Sequence, residues 1–329
     1  MKSVQELGER KIIDIILEHL EPMPHMAIPF GDDVSAIDIG KGKLAVIKTD
    51  MLVGKTDTPP TMSLRQAARK AAVMNMSDLA AKGVKTTALL TAIGIPKDFN
   101  QKDIEQIAEG LNAGAREYGA YVLGGDTNEA SDLIISCAAL GIGEKNCLML
   151  RSGAKAGDIV AVTGFFGKTS AGLRILLQGL SAPPKLQEKL VDSVLMPKAR
   201  LKEGWALAQT GAVSASIDSS DGLAWSLHEI SKASQVGFRI DRLPIAEETK
   251  EFARIHNLDP VELCFYGGEE YELVVTVKPT MWEKARKKVP LIRIGRVTKE
   301  KNLVLKIDKK KRPIEARGWE HFKTSLTKS

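Results

Sequence analysis

Cysteine is scarce in this chain, and its spacing excludes two common kinds of site. The 329 residues include 3 cysteines, at positions Cys137, Cys147 and Cys264. None of them forms a C-x-x-C pair or another spacing that is typical of zinc ligands or redox motifs. We therefore expect three small buried side chains in a protein of a reducing compartment.

Aromatic residues make up only 5% of the chain, and its basic residues are spread out instead of clustered. The formal net charge is +6 and the isoelectric point is near 9.0, which favours anionic ligands. Dispersed Lys and Arg with few aromatic side chains are not typical of a nucleic-acid interface. We therefore expect small anionic molecules, not nucleic acid, as partners.

Long apolar segments and covalent nucleophile motifs are missing as well. No run approaches the ~20 residues of a membrane-spanning helix, and the charges scattered through residues 1–20 are unlike those of a signal peptide. There is no G-x-S-x-G motif, and the 5 histidines show no metal-ligand spacing. These absences predict a soluble, cytoplasmic protein with no membrane contact, and they do not support covalent catalysis.

The length and patterning of the chain predict two domains. A chain of 329 residues with 43% hydrophobic residues is too long for one ordinary core. Both halves alternate strand patterns, glycine turns and helix patterns, and residues 151–158 lack periodicity. We expect a two-domain α/β (α+β) fold, with a β-rich domain over residues 1–147 and a second α/β domain over residues 148–329.

The segment Val73–Gly83 contains the most informative acidic residue. It ends an Ala-rich run from Leu64 that predicts a helix closed by Gly83. Asp78 lies among Met, Leu and Ala on this helix, where a lone carboxylate is unfavourable unless it is paired or bound to a metal. A helix cap or a satisfied core acid is the alternative interpretation.

Further acids follow short apolar strands or lie beside glycines: Asp32, Asp33, Asp50, Asp126, Asp218 and Asp221. Each taken singly is also ordinary turn chemistry. Together they suit Mg²⁺, which takes oxygen ligands from carboxylates, water and phosphate. Several Mg²⁺ ions around a polyphosphate would fit phosphoryl transfer, which depends on positioning and charge neutralisation. The segment Gly164–Thr169 is not a P-loop, because only two residues separate its glycines.

An ordered set of motifs extends along nearly the whole chain: Leu7–Glu9, Gly31–Asp33, Thr49–Val53, Asn75–Ala81, Gly124–Thr127, Arg151–Ala154, Thr163–Gly164, Ser220–Leu223, Gly267–Leu273 and Gly318–Phe322. This set resembles the thiamine-monophosphate kinase family, in the superfamily of aminoimidazole ribonucleotide synthetase and selenophosphate synthetase. The resemblance implies ATP-dependent phosphorylation of thiamine monophosphate to thiamine diphosphate by direct in-line transfer. It also implies that the N-terminal domain binds ATP and Mg²⁺ and pairs in a homodimer, with ATP near the seam, while the C-terminal domain completes the site.

The resemblance also implies roles for individual residues. The expected Mg²⁺ ligands are Asp33, Thr49, Asp50, Asp78, Asp126, Asp218 and Asp221. The expected ATP contacts are Gly125, Asp126, Arg151 and Ser220, and the expected substrate residues are Asp57, Glu269 and Trp319. Trp319 can stack on an aminopyrimidine ring, and a carboxylate can meet the cationic thiazolium; a C-terminal core anchor is the alternative for Trp319.

Three positions depart from the family pattern. The loop after Asp50 reads Gly54–Asp57 where many members have an acidic residue, glycine and histidine. Glu270 replaces the usual Asp before Tyr271, and Lys48 stands where some members have a hydroxyl ligand.

Two other functions stay open at this point. One is another ATP-dependent enzyme of the same superfamily, for instance one like aminoimidazole ribonucleotide synthetase. The other is a non-catalytic protein that binds a nucleotide or a thiamine phosphate on the same scaffold. Selenophosphate synthetase is set aside because no cysteine precedes Cys137.

Overall fold

The computed structural model describes residues 2–307 and 310–322, which form two β-sheets with helices packed on them. The expectation of a two-domain α/β fold is confirmed. In the described part of the chain, no helix combines the length and the apolar character that crossing a membrane requires.

The first sheet has five strands in the order β1-β2-β5-β3-β4. Its strands are β1 (Ser35–Asp38), β2 (Lys43–Val53), β3 (Thr86–Ile95), β4 (Tyr121–Glu129) and β5 (Ile134–Glu144). The helices of this half are α1 (Val4–Leu7), α2 (Glu9–Glu18), α3 (Gly54–Asp57), α4 (Leu64–Lys82) and α5 (Gln101–Glu117). In this sheet β3 and β4 pair in parallel, whereas β1 with β2, β2 with β5 and β5 with β3 pair in antiparallel fashion.

The second sheet has seven strands in the order β12-β11-β8-β10-β6-β9-β7. Its strands are β6 (Ile159–Val162), β7 (Val213–Asp218), β8 (Gly237–Ile240), β9 (Leu273–Val277), β10 (Ile292–Thr298), β11 (Leu303–Ile307) and β12 (Lys310–Pro313). The helices are α6 (Lys168–Gln178), α7 (Pro184–Leu195), α8 (Leu201–Ala208), α9 (Leu223–Ser234), α10 (Glu247–His256), α11 (Pro260–Tyr266) and α12 (Trp282–Lys288).

Helix α4 is the central element of the molecule. It begins with a capping box between Ser63 and Gln66 and ends at Gly83, whose φ of 73° is left-handed. The helix is buried nearly all round, because the first sheet, α5 and α8 each cover part of it. It therefore has no solvent face on which to place its polar residues, and Asp78 and Lys82 are carried into the interior.

The glycine-rich pattern predicts a strand over residues 120–123 followed by a turn at Gly124–Thr127. The turn prediction is wrong, because these residues continue strand β4. The register with β3 shifts between Leu89 and Leu90, so that Leu89 faces Val122 and Leu90 faces Gly124. A bulge of this kind accommodates the extra residue without ending the strand. The two glycines allow it, because a Cβ on Gly125 would lie 1.7 Å from the carbonyl oxygen of Thr91.

Candidate active site

Four carboxylates meet where α4 packs between the two sheets. Asp33, Asp78 and Asp218 are buried, and one carboxylate oxygen of each lies within 4.8 Å of the others. Asp50 joins them through Lys48, whose Nζ lies 3.2 Å from Asp50 Oδ1 and 3.1 Å from Asp78 Oδ2. We call Asp33, Asp50, Asp78 and Asp218 the carboxylate cluster.

Four separate elements deliver these side chains. Asp78 lies on α4, Asp218 is the last residue of β7, and Asp33 precedes β1. Lys48 and Asp50 are two residues apart on β2, so they point to the same face of the first sheet, toward α4. The cluster therefore forms only when both domains have folded.

Asp33 carries two cationic partners. Lys82 Nζ lies 2.7 Å from Asp33 Oδ2 and 2.6 Å from Asp32 Oδ1. Arg151 donates Nε–H to Asp33 Oδ1 at 2.7 Å, and its terminal nitrogen contacts the same oxygen. Burial by itself would raise the pKa of Asp33, but Lys82 and Arg151 hold that pKa below its usual value. Asp33 is therefore charged and its partners are fixed in place.

Asp78 and Asp218 are in the opposite situation. Burial raises the pKa of Asp78 well above its usual value, although Lys48 opposes the shift. Burial, with the nearby charge of Asp33, raises the pKa of Asp218 to about 7, although the Ser77 hydroxyl donates to Asp218 at 2.6 Å. An additional cation would stabilise the charged forms of these two carboxylates, because its charge would offset the cost of burial and the repulsion between the acids.

The donor set fits a hard divalent cation. Asp33, Asp78 and Asp218 offer only oxygen atoms, and their carboxylates are close enough together to share an ion. Mg²⁺ prefers carboxylate and phosphate oxygens with retained water molecules. The residues that would hold Mg²⁺ are those of the carboxylate cluster.

A cleft of about 840 Å³ opens beside the cluster. It is lined by residues of both domains and by the N-terminal helix α2, including Glu9 and Arg10. The expected site residues that line it are Asp50, Asp57, Asp78, Arg151, Asp218, Ser220, Asp221 and Trp319. The structure thus brings together residues that are more than 260 positions apart in the sequence.

Two of the three expected substrate residues, Asp57 and Trp319, line this cleft, whereas Glu269 is not among its lining residues. The main-chain N–H of Trp319 donates to the Asp221 carbonyl oxygen at 3.0 Å, and Trp319 lines the cleft. Lys70 on α4 contacts the Glu269 carboxylate and donates to the Asp57 carbonyl oxygen at 2.9 Å. The fully buried Lys70 therefore connects two of the three expected substrate residues.

Three expected site residues lie elsewhere. The Thr49 side chain points to the opposite face of β2 from Lys48, where its hydroxyl lies 3.3 Å from Ser136 Oγ. Its hydroxyl is therefore not with the carboxylate cluster, since strand side chains alternate. Gly125 and Asp126 lie on β4, the exposed edge strand of the first sheet, and they are not among the described residues that line the cleft.

Sequence reasoning identified Arg151 and noted Lys48, but it missed three other cations of the site, Lys70, Lys82 and Arg10. Lys82 follows Asp78 by four residues, so both lie on one face of α4, and this spacing was an available signal. Lys70 lies on the same buried helix, where a charged residue requires a partner. Arg10, which contacts Glu229 and lies in the cleft wall, gave no signal in the sequence, because α2 meets α9 only in the folded chain.

The chain matches two family models over most of its length. Residues 31–143 match the N-terminal domain of AIR synthase related protein, and residues 155–308 match its C-terminal domain. The expected division at residues 147 and 148 falls between the two matches and stays a prediction.

Characterised relatives and a solved structure point the same way. Thiamine-monophosphate kinase of Pyrococcus horikoshii is 36% identical over 94% of this chain and 96% of that protein. Thiamine-monophosphate kinase of Nitrosopumilus maritimus is 38% identical over 87% of this chain and 92% of that protein. A solved structure described as AaThiL complexed with AMPPCP and TMP superposes with a TM-score of 0.86 at 28% identity, covering 98% of this chain and 99% of that one. The chain belongs to the thiamine-monophosphate kinases of the AIR synthase related family.

Proposed function

We propose that this chain transfers the γ-phosphoryl group of ATP to thiamine monophosphate, in line and with Mg²⁺, giving thiamine diphosphate and ADP. The observation that carries the proposal is the buried carboxylate cluster in the wall of a cleft that also contains Arg151 and Trp319. The neighbour described with AMPPCP and TMP supports the same pair of substrates for this chain. The reaction is the last step in making thiamine diphosphate.

The protein residues have separate tasks in this reaction. Arg151 would bind phosphate oxygens in the forked geometry of a guanidinium, while Asp33 fixes its orientation. Ser220, Gly125 and Asp126 would add ATP contacts. The cluster would hold Mg²⁺, which supplies neutralisation of the charge on the polyphosphate when it is bound. No protein nucleophile is required, because direct transfer depends on alignment and charge.

Trp319 would stack on the aminopyrimidine ring, and Asp57 or Glu269 would meet the cationic thiazolium or the amino group. Trp319→Ala should therefore raise the KM for thiamine monophosphate by up to about 10-fold with little change in the KM for ATP, since an aromatic stacking contact is worth about 0.5–1.5 kcal/mol. An unchanged KM, measured by steady-state kinetics, would assign Trp319 to a structural role.

A chromatographic product assay tests the reaction. The purified protein is incubated with ATP, Mg²⁺ and thiamine monophosphate, and thiamine or aminoimidazole precursors serve as parallel substrates. We expect thiamine diphosphate to form one-for-one with ADP, and only from the monophosphate. ADP release with no thiamine diphosphate would favour another enzyme of the superfamily, and the absence of any turnover would favour a binding protein.

We also propose that the chain works as a cytoplasmic homodimer paired through its first sheet. The face of this sheet that points away from α4 exposes five large apolar side chains: Ile47, Met51, Leu90, Leu140 and Ile142. The pairing register puts them on one face, with Ile47 directly opposite Leu140. We call these five residues the outer face. An apolar sheet face of this size is typical of a protein interface, and Asp126 lies on the neighbouring edge strand.

A further inference from the structure

The Lys48 ammonium lies where a cation would bridge two carboxylates of the cluster. Its Nζ contacts Asp50 Oδ1 at 3.2 Å and Asp78 Oδ2 at 3.1 Å, and 21% of the side chain is exposed. The Lys48 ammonium is therefore paired with two carboxylates at once, one on its own strand and one on α4. A charged ammonium between two acids has the electrostatic role that a bridging metal ion would have.

The rest of the cluster is unevenly supplied with positive charge. Asp33 already has Lys82 and Arg151 as partners. In the part of the chain that the structure describes, no Lys, Arg or His nitrogen lies within ion-pair distance of Asp218, whose partner is the Ser77 hydroxyl at 2.6 Å. Lys48 thus satisfies the Asp50–Asp78 side of the cluster and leaves the Asp218 side open for an external cation.

An ion and the ammonium cannot share the Asp50–Asp78 position. A divalent ion placed between Asp50 and Asp78 beside the Lys48 ammonium would be repelled strongly by it in this low-dielectric site. If Lys48 left, the buried carboxylate of Asp78 would lose its ion-pair partner, which is unfavourable. The backbone that carries Lys48 is fixed, because Lys48 pairs with Ala139 of β5 and the preceding Ile47 pairs with Ser35 of β1.

We infer that Lys48 is a built-in cation that occupies one metal position of the carboxylate cluster, so that the chain binds one divalent ion fewer than its acids would otherwise hold. The inference rests on the metal-assisted reaction proposed above. The remaining ion position lies on the Asp218 side of the cluster. Lys48 is therefore a positioning residue that sets the number of metal ions.

Counting bound Mn²⁺ tests this inference without any turnover. Mn²⁺ is titrated into the full-length protein, with and without the non-hydrolysable analogue AMPPCP, and free Mn²⁺ is followed by electron paramagnetic resonance. We expect Lys48→Ser, which removes the ammonium and supplies a hydroxyl oxygen, to bind about one ion more per chain than the wild type. Lys48→Arg retains the charge and should bind as many ions as the wild type.

Lys145→Ser is the matched control, because Lys145 pairs with Asp38 at 3.2 Å on the surface of the same domain. It should leave the ion count unchanged. Folding is checked by circular dichroism with and without Mn²⁺. If Lys48→Ser is less stable than the wild type without metal, Mn²⁺ should raise the melting temperature of the variant by more than it raises that of the wild type.

Two results would overturn the inference in distinguishable ways. If the wild type and folded Lys48→Ser bind the same number of ions, Lys48 does not replace one; weaker AMPPCP binding by that variant would then assign Lys48 to phosphate contact. If neither protein binds Mn²⁺ with or without AMPPCP, the metal-assisted reaction proposed above fails together with the inference.

Discussion

Burial and ion pairing act in opposite directions on the pKa of Asp78. This residue is 6% exposed on a helix whose neighbouring side chains are also buried, and Lys48 is its ion-pair partner. Burial, reinforced by Asp50 and Asp218, raises its pKa, while Lys48 lowers it. The residue therefore contributes less to folding than to holding positive charge beside the cleft.

We predict that Asp78→Asn lowers kcat by at least about 100-fold, because it removes a charge that faces the bound polyphosphate and its metal. The fold should persist, since asparagine retains the volume and relieves repulsion from the other acids. Steady-state kinetics and a circular dichroism melt measure the two effects. The exposed Asp14→Asn is the control; an unfolded Asp78→Asn would instead make Asp78 a structural acid.

Glu270, which replaces the usual Asp of the family, is a half-buried acid with main-chain partners. The Gly167 N–H donates to its carboxylate at 2.5 Å and the Thr169 N–H at 3.3 Å. Burial raises the pKa of Glu270 from 4.5 to about 7, although these donors oppose the shift. Between these two pH values the folded state binds more protons than the unfolded chain, so the free energy of unfolding falls as the pH rises.

We predict that Glu270→Gln removes this pH dependence. Glutamine retains an acceptor oxygen for Gly167 and carries no charge, so the variant should gain roughly 2–3 kcal/mol over the wild type between pH 4.5 and pH 8. Urea denaturation across that range gives the difference between the two proteins, which cancels the contributions of the other acids. Parallel stability curves would contradict the prediction.

At the scale of elements, the close approach of α4 and α8 joins the two domains. A Cβ on Gly204 of α8 would lie 2.0 Å from the Ala80 carbonyl oxygen of α4, and a Cβ on Gly83 would lie 2.3 Å from Ala208 Cβ. Only glycine allows these backbones to approach so closely. The separation of α4 from α8 in turn positions Ser77 against Asp218.

We predict that Gly204→Ala destabilises the protein by about 1–3 kcal/mol, because overpacking would push α8 away from α4. The sign of the change in the free energy of unfolding is diagnostic, since replacing glycine by alanine in an exposed helix would instead stabilise the protein by about 1 kcal/mol. Lys202→Ala, on the exposed side of α8, is the control. Chemical denaturation measures both variants, and a Gly204→Ala variant as stable as the wild type would show that the helices can separate freely.

At the scale of the whole molecule, the proposed homodimer would pair through the outer face of the first sheet. Leu140 lies in its middle, between Ile47 on β2 and Leu90 near it on β3. Gly125 and Asp126 lie at the adjacent edge, apart from the cleft of their own chain. The proposed ATP contacts of these two residues therefore depend on pairing.

We predict that Leu140→Arg weakens dimerisation by at least about 100-fold, since it places an unpaired charge in a desolvated interface. Light scattering across a dilution series measures the effect. Leu177→Arg is the control, because Leu177 is 57% exposed on α6, far along the chain from the first sheet. A wild-type protein that stays monomeric at working concentration would contradict the proposed pairing.

The sequence by itself determined the family, the two α/β domains and most of the acids that meet at the site. Local rules were sufficient for α4, since a Ser63 cap, an apolar run and Gly83 depend only on neighbouring residues. The resemblance to the family was sufficient to identify Asp33, Asp50, Asp78 and Asp218, because the motifs of this chain follow one another in the order of the family's motifs.

Only the tertiary structure decided which charges face one another. Lys48 contacts Asp78 across thirty positions and Lys82 contacts Asp33 across forty-nine, and no local rule relates residues that far apart. Strand alternation placed Thr49 away from the cluster while Lys48 and Asp50 face it, and a bulge made Gly124–Thr127 a strand instead of a turn. The physical reason is that ion pairs and strand registers depend on three-dimensional proximity, which forms only when α4 is enclosed by both sheets.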